Sequence, residues 1–236
     1  RLNYSFKNRY LFEGNIRYDG SSRFARGNEY GTFPSFSAGW RISEEDFWAG
    51  LEETVGELKI RGSYGKSGNQ EVAPYSFLAT YDLRSYSFGD SAVQGYKQTL
   101  LSNEDISWET TTQTDIGLDL TMFKGKLSLT ADYYNKQTKD ILLVVPVPAT
   151  LGLLSTARNT GRVDNKGWEF ALGLRNDFGN FKMDTNFNFS INNNEVVDLA
   201  GTGPYIQGGN ESRFITKDGL PIRSWWGYKT DGYFQT

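Results

Sequence analysis

The most constraining feature of this sequence is a strict alternation of apolar and polar side chains that persists over long segments. Between Phe181 and Asn192, odd-numbered positions carry Phe, Met, Thr or Ile, and even-numbered positions carry Lys, Asp, Asn or Ser. Successive side chains of a β-strand point to opposite faces, so this pattern predicts a strand of about a dozen residues with one apolar and one polar face.

The same alternation recurs along the chain and predicts about eight strands, some of them weaker than others. A helical period competes with it nowhere, apart from one short turn expected within residues 43–55. The candidate strands lie at residues 2–7, 12–19, 32–40, 58–65, 115–120, 127–134, 168–175 and 181–192.

The connections between these strands are of two kinds. Short turns are expected at residues 7–9, 123–126 and 176–180, and long segments follow at 20–30, 66–107, 139–166 and after 193. When successive strands reverse direction, the short turns fall at one end and the long loops at the other; only the connection 41–57 departs from this rule. Such asymmetry is typical of an antiparallel transmembrane β-barrel with short periplasmic turns and long extracellular loops.

A soluble β-sandwich is the alternative, because its strands also alternate between a core face and a solvent face. Sandwich strands are typically about five or six residues long, and their turns do not divide into short and long by end. Strand length and loop asymmetry therefore favour a barrel.

Composition excludes several functional classes. The chain has no histidine and no cysteine, which removes His-based acid–base catalysis, thiolate chemistry, disulfides and the usual zinc sites. With 25 basic and 28 acidic side chains, the net charge of −3 argues against a broad nucleic-acid surface. We expect no catalytic residues, no metal, no cofactor and no nucleic-acid partner, and hence not an enzyme.

Short sequence blocks then occur in a fixed order along the chain. They are YDGSSRF at 18–24, YGTFPS at 30–35, AGWRISEE at 38–45, LKIRGSYG and SGNQ within 58–70, WET at 108–110, ADYY at 131–134, NTGRV and NKGWE within 159–169, and GYKTDGYFQ at 227–235. Taken together, these blocks resemble the C-terminal β-barrel of the SusC/RagA family of TonB-dependent outer-membrane transporters. The resemblance covers essentially the whole chain.

This resemblance implies a barrel of about 22 strands that encloses a plug domain. It also implies a TonB-contacting segment before the plug and a SusD-like surface lipoprotein as partner. Residues 1–236 would then be part of one barrel domain, with the plug, the TonB-contacting segment and the final strands outside this chain. We expect a multi-pass barrel in the bacterial outer membrane, surrounded by lipid.

The function implied by the resemblance is import of nutrients, either oligosaccharides or, less often, peptides. A fragment that lacks the energy-coupling parts should not transport by itself. A non-transporting surface or scaffold barrel of the outer membrane is the alternative function.

Two sets of aromatic side chains are the candidate functional residues. Rings at strand ends settle at the depth of lipid headgroups, which predicts interfacial anchors at Tyr18, Trp40, Trp108, Tyr133 and Trp168. Rings in long loops can stack on sugars or on apolar peptide groups. Substrate contacts are therefore expected from Tyr75, Tyr81, Tyr86, Trp225 and Trp226. Packing between loops is the competing role for such rings.

An apolar run at residues 141–154 follows a strand that points toward the long loops. Pro146 and Pro148 interrupt it, and it is too short for a membrane helix. Because an apolar stretch of this size needs cover, we expect it to pack against the plug and inner wall or against a lid-like partner.

Overall fold

A computed structural model describes residues 1–153, 155–201, 203–207, 213–229 and 231–232. Eight long antiparallel strands form one sheet, which confirms the predicted number. They are β1 (Leu2–Phe6), β2 (Tyr10–Gly20), β3 (Tyr30–Arg41), β4 (Val55–Asn69), β7 (Glu109–Met122), β8 (Leu127–Lys139), β11 (Arg162–Asp177) and β12 (Lys182–Asp198). Their order in the sheet is β1-β2-β3-β4-β7-β8-β11-β12, so each strand lies beside its predecessor among these eight.

Three smaller sheets form inside the long loops, where no strand was predicted. One is a hairpin of β5 (Thr80–Phe88) and β6 (Ser91–Leu100), and a second pairs β9 (Leu142–Pro146) with β10 (Ser155–Asn159). The third contains β13 (Tyr205–Gln207), β14 (Phe214–Thr216) and β15 (Ser224–Trp225). The alternation missed them because most of these strands are short and β5 and β6 are exposed on both faces.

The strand register places the apolar positions of all eight long strands on a single face. Ile60 lies opposite Leu118, Leu118 opposite Ala131, Ala131 opposite Phe170, and Phe170 opposite Phe189. Residues directly opposite each other share a face of the sheet. Ile60 is 41% exposed and Phe189 is 49% exposed, so the described chain leaves this apolar face open. An open apolar face of this kind suits a wall that meets lipid.

The two ends of the sheet differ as the sequence predicted. At the turn end, tight turns join β1 to β2, β7 to β8, and β11 to β12, with positive φ angles at Lys7, Asn8, Phe123 and Lys124. Positive φ at two successive central residues is the geometry of a type I′ hairpin turn. At the loop end, the connections span residues 21–29, 70–108 and 140–161.

The exception at the turn end is the connection between β3 and β4. It contains two single 3-10 turns, Ile42–Glu44 and Asp46–Trp48, within the region where one short turn was expected. Among the described residues, no helix is long or apolar enough to cross a membrane.

The apolar run at 141–154 is covered in part within the chain itself: Val145 and Leu153 are buried, whereas Leu151 is 56% exposed, and Leu154 lies outside the described residues. Ile141 and Leu143 pack against a buried cluster of Val163, Val196 and Leu199 at the loop end of β11 and β12. The run therefore supplies part of the small core that holds the loops to the sheet.

Candidate functional site: the polar wall and the loop end

The polar face of the sheet is its concave face. A groove of about 470 Å³ crosses β1 to β4 and is lined by side chains such as Glu13, Ser37 and Arg61. A second groove of about 450 Å³ extends toward β8 and includes Ser63 and Lys136. We refer to this concave surface as the polar wall.

One arginine organises the charges at the middle of the polar wall. The Arg61 guanidinium lies 3.2 Å from an Asp119 oxygen, 2.7 Å from an Asp132 oxygen and 3.7 Å from an Asp115 oxygen. Lys59 approaches Asp119 at 3.9 Å. The planar guanidinium offers five donors, so one arginine can bind carboxylates from two neighbouring strands. Three carboxylates and two cations leave this part of the wall acidic.

Gly117 provides the space in which this cluster forms. It lies opposite Arg61 on β4 and opposite Asp132 on β8. A Cβ atom at residue 117 would stand 2.6 Å from Cζ of Arg61 and would also collide with the Asp132 carboxylate. The glycine thus lets the guanidinium lie across the strand backbone. Sequence reasoning placed Gly117 on the polar face but missed this role, because only the cross-strand register brings the three residues together.

At the loop end, Trp108 lies in a buried aromatic cluster. Its ring centroid is 5.3 Å from the rings of both Phe24 and Phe33, and its indole nitrogen donates to the carbonyl of Glu29 at 3.3 Å. Phe24 and the nearby Ile106 are almost fully buried. The predicted anchor Trp108 is therefore half-buried between Phe24 of a loop and Phe33 of β3.

Asn159 ties two long loops together beside this cluster. Its amide nitrogen donates to the carbonyls of Ser107 and Asp140, at 2.8 and 2.9 Å, and its side-chain oxygen accepts from the Ser107 backbone nitrogen at 2.8 Å. Asn103 adds a bond from its side-chain nitrogen to the carbonyl of Ala157 at 2.8 Å. We call the Trp108 cluster and these asparagine contacts the loop junction. It joins the connections 21–29, 70–108 and 140–161.

A second polar cluster fixes the turn end around Glu45. The Glu45 carboxylate accepts from the Tyr10 hydroxyl at 2.6 Å, from the Trp40 indole nitrogen at 3.0 Å and from Arg9 at 3.1 Å. These donors, with Tyr10 contributing most and Trp40 next, hold the pKa of Glu45 below its ordinary value. Sequence analysis missed this role, although Trp40 and Glu45 lie in one short sequence block.

The other four predicted anchors all lie on the apolar face. Tyr18 stacks on Tyr30 with ring centroids 5.1 Å apart, and Tyr133 packs against Trp168 at 5.0 Å. Trp40 lies at the turn end. Their depth at the membrane interface stays a prediction, and their positions on the open face support it.

The predicted substrate-contacting rings fall into two groups. Tyr81 and Tyr86 belong to β5, and Tyr75 precedes that strand; they are 59%, 49% and 66% exposed. Trp225 belongs to β15, where its ring packs 4.8 Å from Phe214, and Trp226 follows it. Among the described residues, no ring contact joins the two groups, so the structure does not assemble the five into one site.

The described part of the chain offers no metal centre. It contains no group of three or more Asp, Glu, His or Cys side chains arranged to hold a metal ion. Where the carboxylates are closest together, on the polar wall, Arg61 already occupies the space between them.

Comparison with known proteins gives consistent matches. The family described as "TonB dependent receptor-like, beta-barrel" matches residues 1–233. TonB-dependent receptor P39 of Formosa agariphila is 37% identical over 238 residues, covering 100% of this chain and 22% of the relative. TonB-dependent receptor SusC of Bacteroides thetaiotaomicron is 34% identical over 221 residues, covering 89% of this chain and 22% of SusC.

Solved structures give the same result. A chain of the RagAB peptide transporter superimposes with a TM-score of 0.83 at 27% identity, covering 94% of this chain and 24% of that one. The RagAB peptide importer in its "open-open" state gives a TM-score of 0.82 at 27% identity, covering 93% and 24%. The present chain thus spans about a quarter or less of the length of the proteins it matches.

Proposed function

The chain belongs to the TonB-dependent receptor-like β-barrel family, and from this premise we propose that the full-length protein imports a nutrient. SusC and RagA relatives are bacterial outer-membrane proteins, so the apolar face of the sheet meets outer-membrane lipid. The turn end is then periplasmic and the loop end extracellular. The observation that carries the proposal is the concave polar wall behind a continuous lipid-facing surface.

The polar wall acts as a conduit wall and not as a catalytic site. Its central carboxylates, Asp119 and Asp132, are held by Arg61, which leaves neither of them free to attack a substrate or exchange protons with it. The chain also contains no histidine or cysteine that could serve as a nucleophile or base.

We propose an oligosaccharide as the transported substrate. Trp225 and Trp226 are 79% and 51% exposed, and exposed rings at the extracellular end can stack on the faces of sugars. A peptide is the second candidate, because the structural relative RagAB is a peptide transporter.

Energy for import would come from the TonB complex, through a plug and a TonB-contacting segment outside this chain. An extracellular SusD-like lipoprotein would close over the loop end. The β5–β6 hairpin supports this proposal, since Phe88 and Tyr96 are 80% and 74% exposed and leave a surface for a partner.

A growth experiment tests the proposal. The gene is deleted, and cells are fed single oligosaccharides or defined peptides as the only carbon or nitrogen source. The expected result is a loss of growth on oligosaccharides that the wild-type gene restores when TonB is present and fails to restore when TonB is removed. Loss on peptides alone would instead select the second candidate. Unchanged growth on every substrate would favour a scaffold barrel.

Substitutions at Trp225 and Trp226 distinguish a role in substrate binding from a role in folding. Trp225→Ala combined with Trp226→Ala should reduce uptake without reducing the amount of folded barrel. Phe178→Ala is the matched control, because Phe178 is a 66% exposed ring at the periplasmic end. Equal uptake by the two variants would show that the two tryptophans do not contribute to substrate binding.

A further inference from the structure

The outer surface of the wall continues as a polar band above its apolar part. On β8, the outward positions Leu127, Leu129, Ala131 and Tyr133 are apolar or aromatic, whereas the next ones are Asn135, Gln137 and Lys139. Two residues of a strand advance about 6.8 Å, so three such positions extend the outer wall by about 20 Å along the strand, or about 15 Å toward the cell exterior at a strand tilt of about 40°.

A groove of about 440 Å³ lies on this polar band. It crosses β4, β7 and β8, and its lining includes Tyr64, Lys66, Thr112, Asn135, Gln137 and Lys139. Tyr64, Lys66 and Thr112 occupy the outward register of their strands, because Lys66 lies opposite Thr112 and Thr112 opposite Gln137. The groove therefore opens beside the membrane and not into the lumen.

The groove and its edge carry cations without partners. Lys66, Lys139 and Lys166 are exposed, and no carboxylate oxygen lies within 4.0 Å of any of them in the described ranges. The nearby Asp164 is nearly buried and already bound by Arg162 at 2.8 Å. Asp140 also lines the groove and is the one acid among the lining residues. Among the residues that line the groove, Lys66 and Lys139 outnumber Asp140, so the lining carries a net positive charge.

We propose that this groove binds the phosphate-bearing headgroup of lipopolysaccharide, the glycolipid of the outer leaflet. Ammonium groups form strong charge-assisted hydrogen bonds with phosphate, and threonine hydroxyls and side-chain amides can donate to and accept from sugar hydroxyls. Four adjacent strands spaced by about 4.8 Å place Lys66 and Lys166 about 15 Å apart, enough to contact separate anionic groups of one glycolipid.

Position distinguishes a headgroup site from a general anion site. The groove begins where the outward side chains change from Tyr133 and Trp168 to Asn135 and Lys166, which lie opposite each other. Aromatic rings mark the interface of a barrel with its membrane, so the groove starts at headgroup depth. This inference rests on the outer-membrane location and is independent of the transported substrate.

The test uses the full-length protein in a nonionic detergent. Binding of bisphosphorylated lipid A, of dephosphorylated lipid A and of inorganic phosphate is measured for wild type and two triple variants. One combines Lys66→Gln, Lys139→Gln and Lys166→Gln. The control combines Lys124→Gln, Lys126→Gln and Lys182→Gln, which removes the same charge at the periplasmic end. Heat-modifiable mobility verifies that both variants fold.

We expect the groove variant to bind bisphosphorylated lipid A at least tenfold more weakly than wild type, and the control to bind it as wild type does. Dephosphorylated lipid A should bind weakly to all three proteins. Equal binding by the groove variant would overturn the site, and equal binding of the two lipids would overturn phosphate recognition. Tight binding of inorganic phosphate would reassign the groove to free anions.

Discussion

At the scale of single residues, the polar wall depends on empty space as much as on charge. Arg61 reaches carboxylates of two strands because residue 117 has no side chain. On the opposite face, residues such as Leu118 pack on apolar neighbours in the adjacent strands and otherwise face lipid. The same strand therefore carries two different constraints at adjacent positions, and each constraint can be tested by one substitution.

Gly117→Ala should destabilise the barrel by about 1 to 3 kcal/mol, since the new methyl group must displace Arg61 or Asp132. Urea unfolding in lipid measures the change. Gly62→Ala is the control, because a Cβ at residue 62 would meet only the carbonyl of Asp115, at 3.7 Å. If both variants unfold at the same urea concentration, the steric role assigned to Gly117 is wrong.

Leu118→Arg should cost about 2 to 4 kcal/mol if residue 118 lies near the middle of the bilayer. Asn188→Arg is the control on the polar wall, because its neighbour Phe189 lies in the same cross-strand row as Leu118 and Asn188 itself lies on the opposite face. An arginine there faces the lumen and should cost much less. Similar losses of folded protein for both variants would reverse the assignment of the two faces.

At the scale of elements, the alternation was sufficient for the long strands and insufficient for the loops. Residues 182–193 of β12 are all exposed within the described chain, so the pattern there is set directly by lipid on one side and water on the other. The residues of the loop junction do not alternate between two different environments in this way. Its contacts, such as Asn159 with Ser107, join residues 52 positions apart and leave no local periodic signal.

The predicted anchor residues also divide into those that the alternation places correctly and one that only tertiary contacts can place. Tyr18, Tyr133 and Trp168 lie on the face that the alternation predicted. Trp108 directly precedes β7, so its position in the chain resembles that of an anchor, yet its ring packs on Phe24 and Phe33. Only tertiary contacts distinguish these two environments.

The β3–β4 connection should loosen in acid through Glu45. Because its pKa in the folded state lies below the ordinary value of 4.5, the carboxylate stabilises the connection above that value and loses its effect as the pH falls through the lower, folded-state pKa. Pepsin cleavage within residues 46–54 should therefore increase in that range.

Glu45→Gln should raise cleavage at pH values above the folded-state pKa of Glu45, approach the wild-type level below it, and so remove most of the pH dependence. Glu44→Gln is the matched control, because Glu44 pairs at 3.0 Å with Arg41 at the surface. A wild-type cleavage profile in Glu45→Gln would show that the connection is held by other contacts.

At the scale of the whole molecule, the two ends of the sheet should lie on opposite sides of the membrane, with the loop end outside the cell and the turn end in the periplasm. Epitope tags inserted after Gly89, at the tip of the β5–β6 hairpin, should be labelled on intact cells. Tags after Gly125, in the tight β7–β8 turn, should be labelled only after permeabilisation. A Cβ at either glycine would have nothing within 4 Å, so both sites have room for an insertion. Labelling of the Gly125 tag on unbroken cells would show that the proposed orientation of the sheet in the membrane is wrong.

The loop junction also limits how the extracellular side can move. Three connections that differ in length and sequence share the contacts of Trp108 and Asn159, so a displacement of one of them strains its contacts with the other two. A force on any one of them is transmitted to the other two. The β5–β6 hairpin belongs to the connection 70–108, but its residues take no part in the contacts of Trp108 and Asn159, so we expect the hairpin to move more freely than the three joined loops.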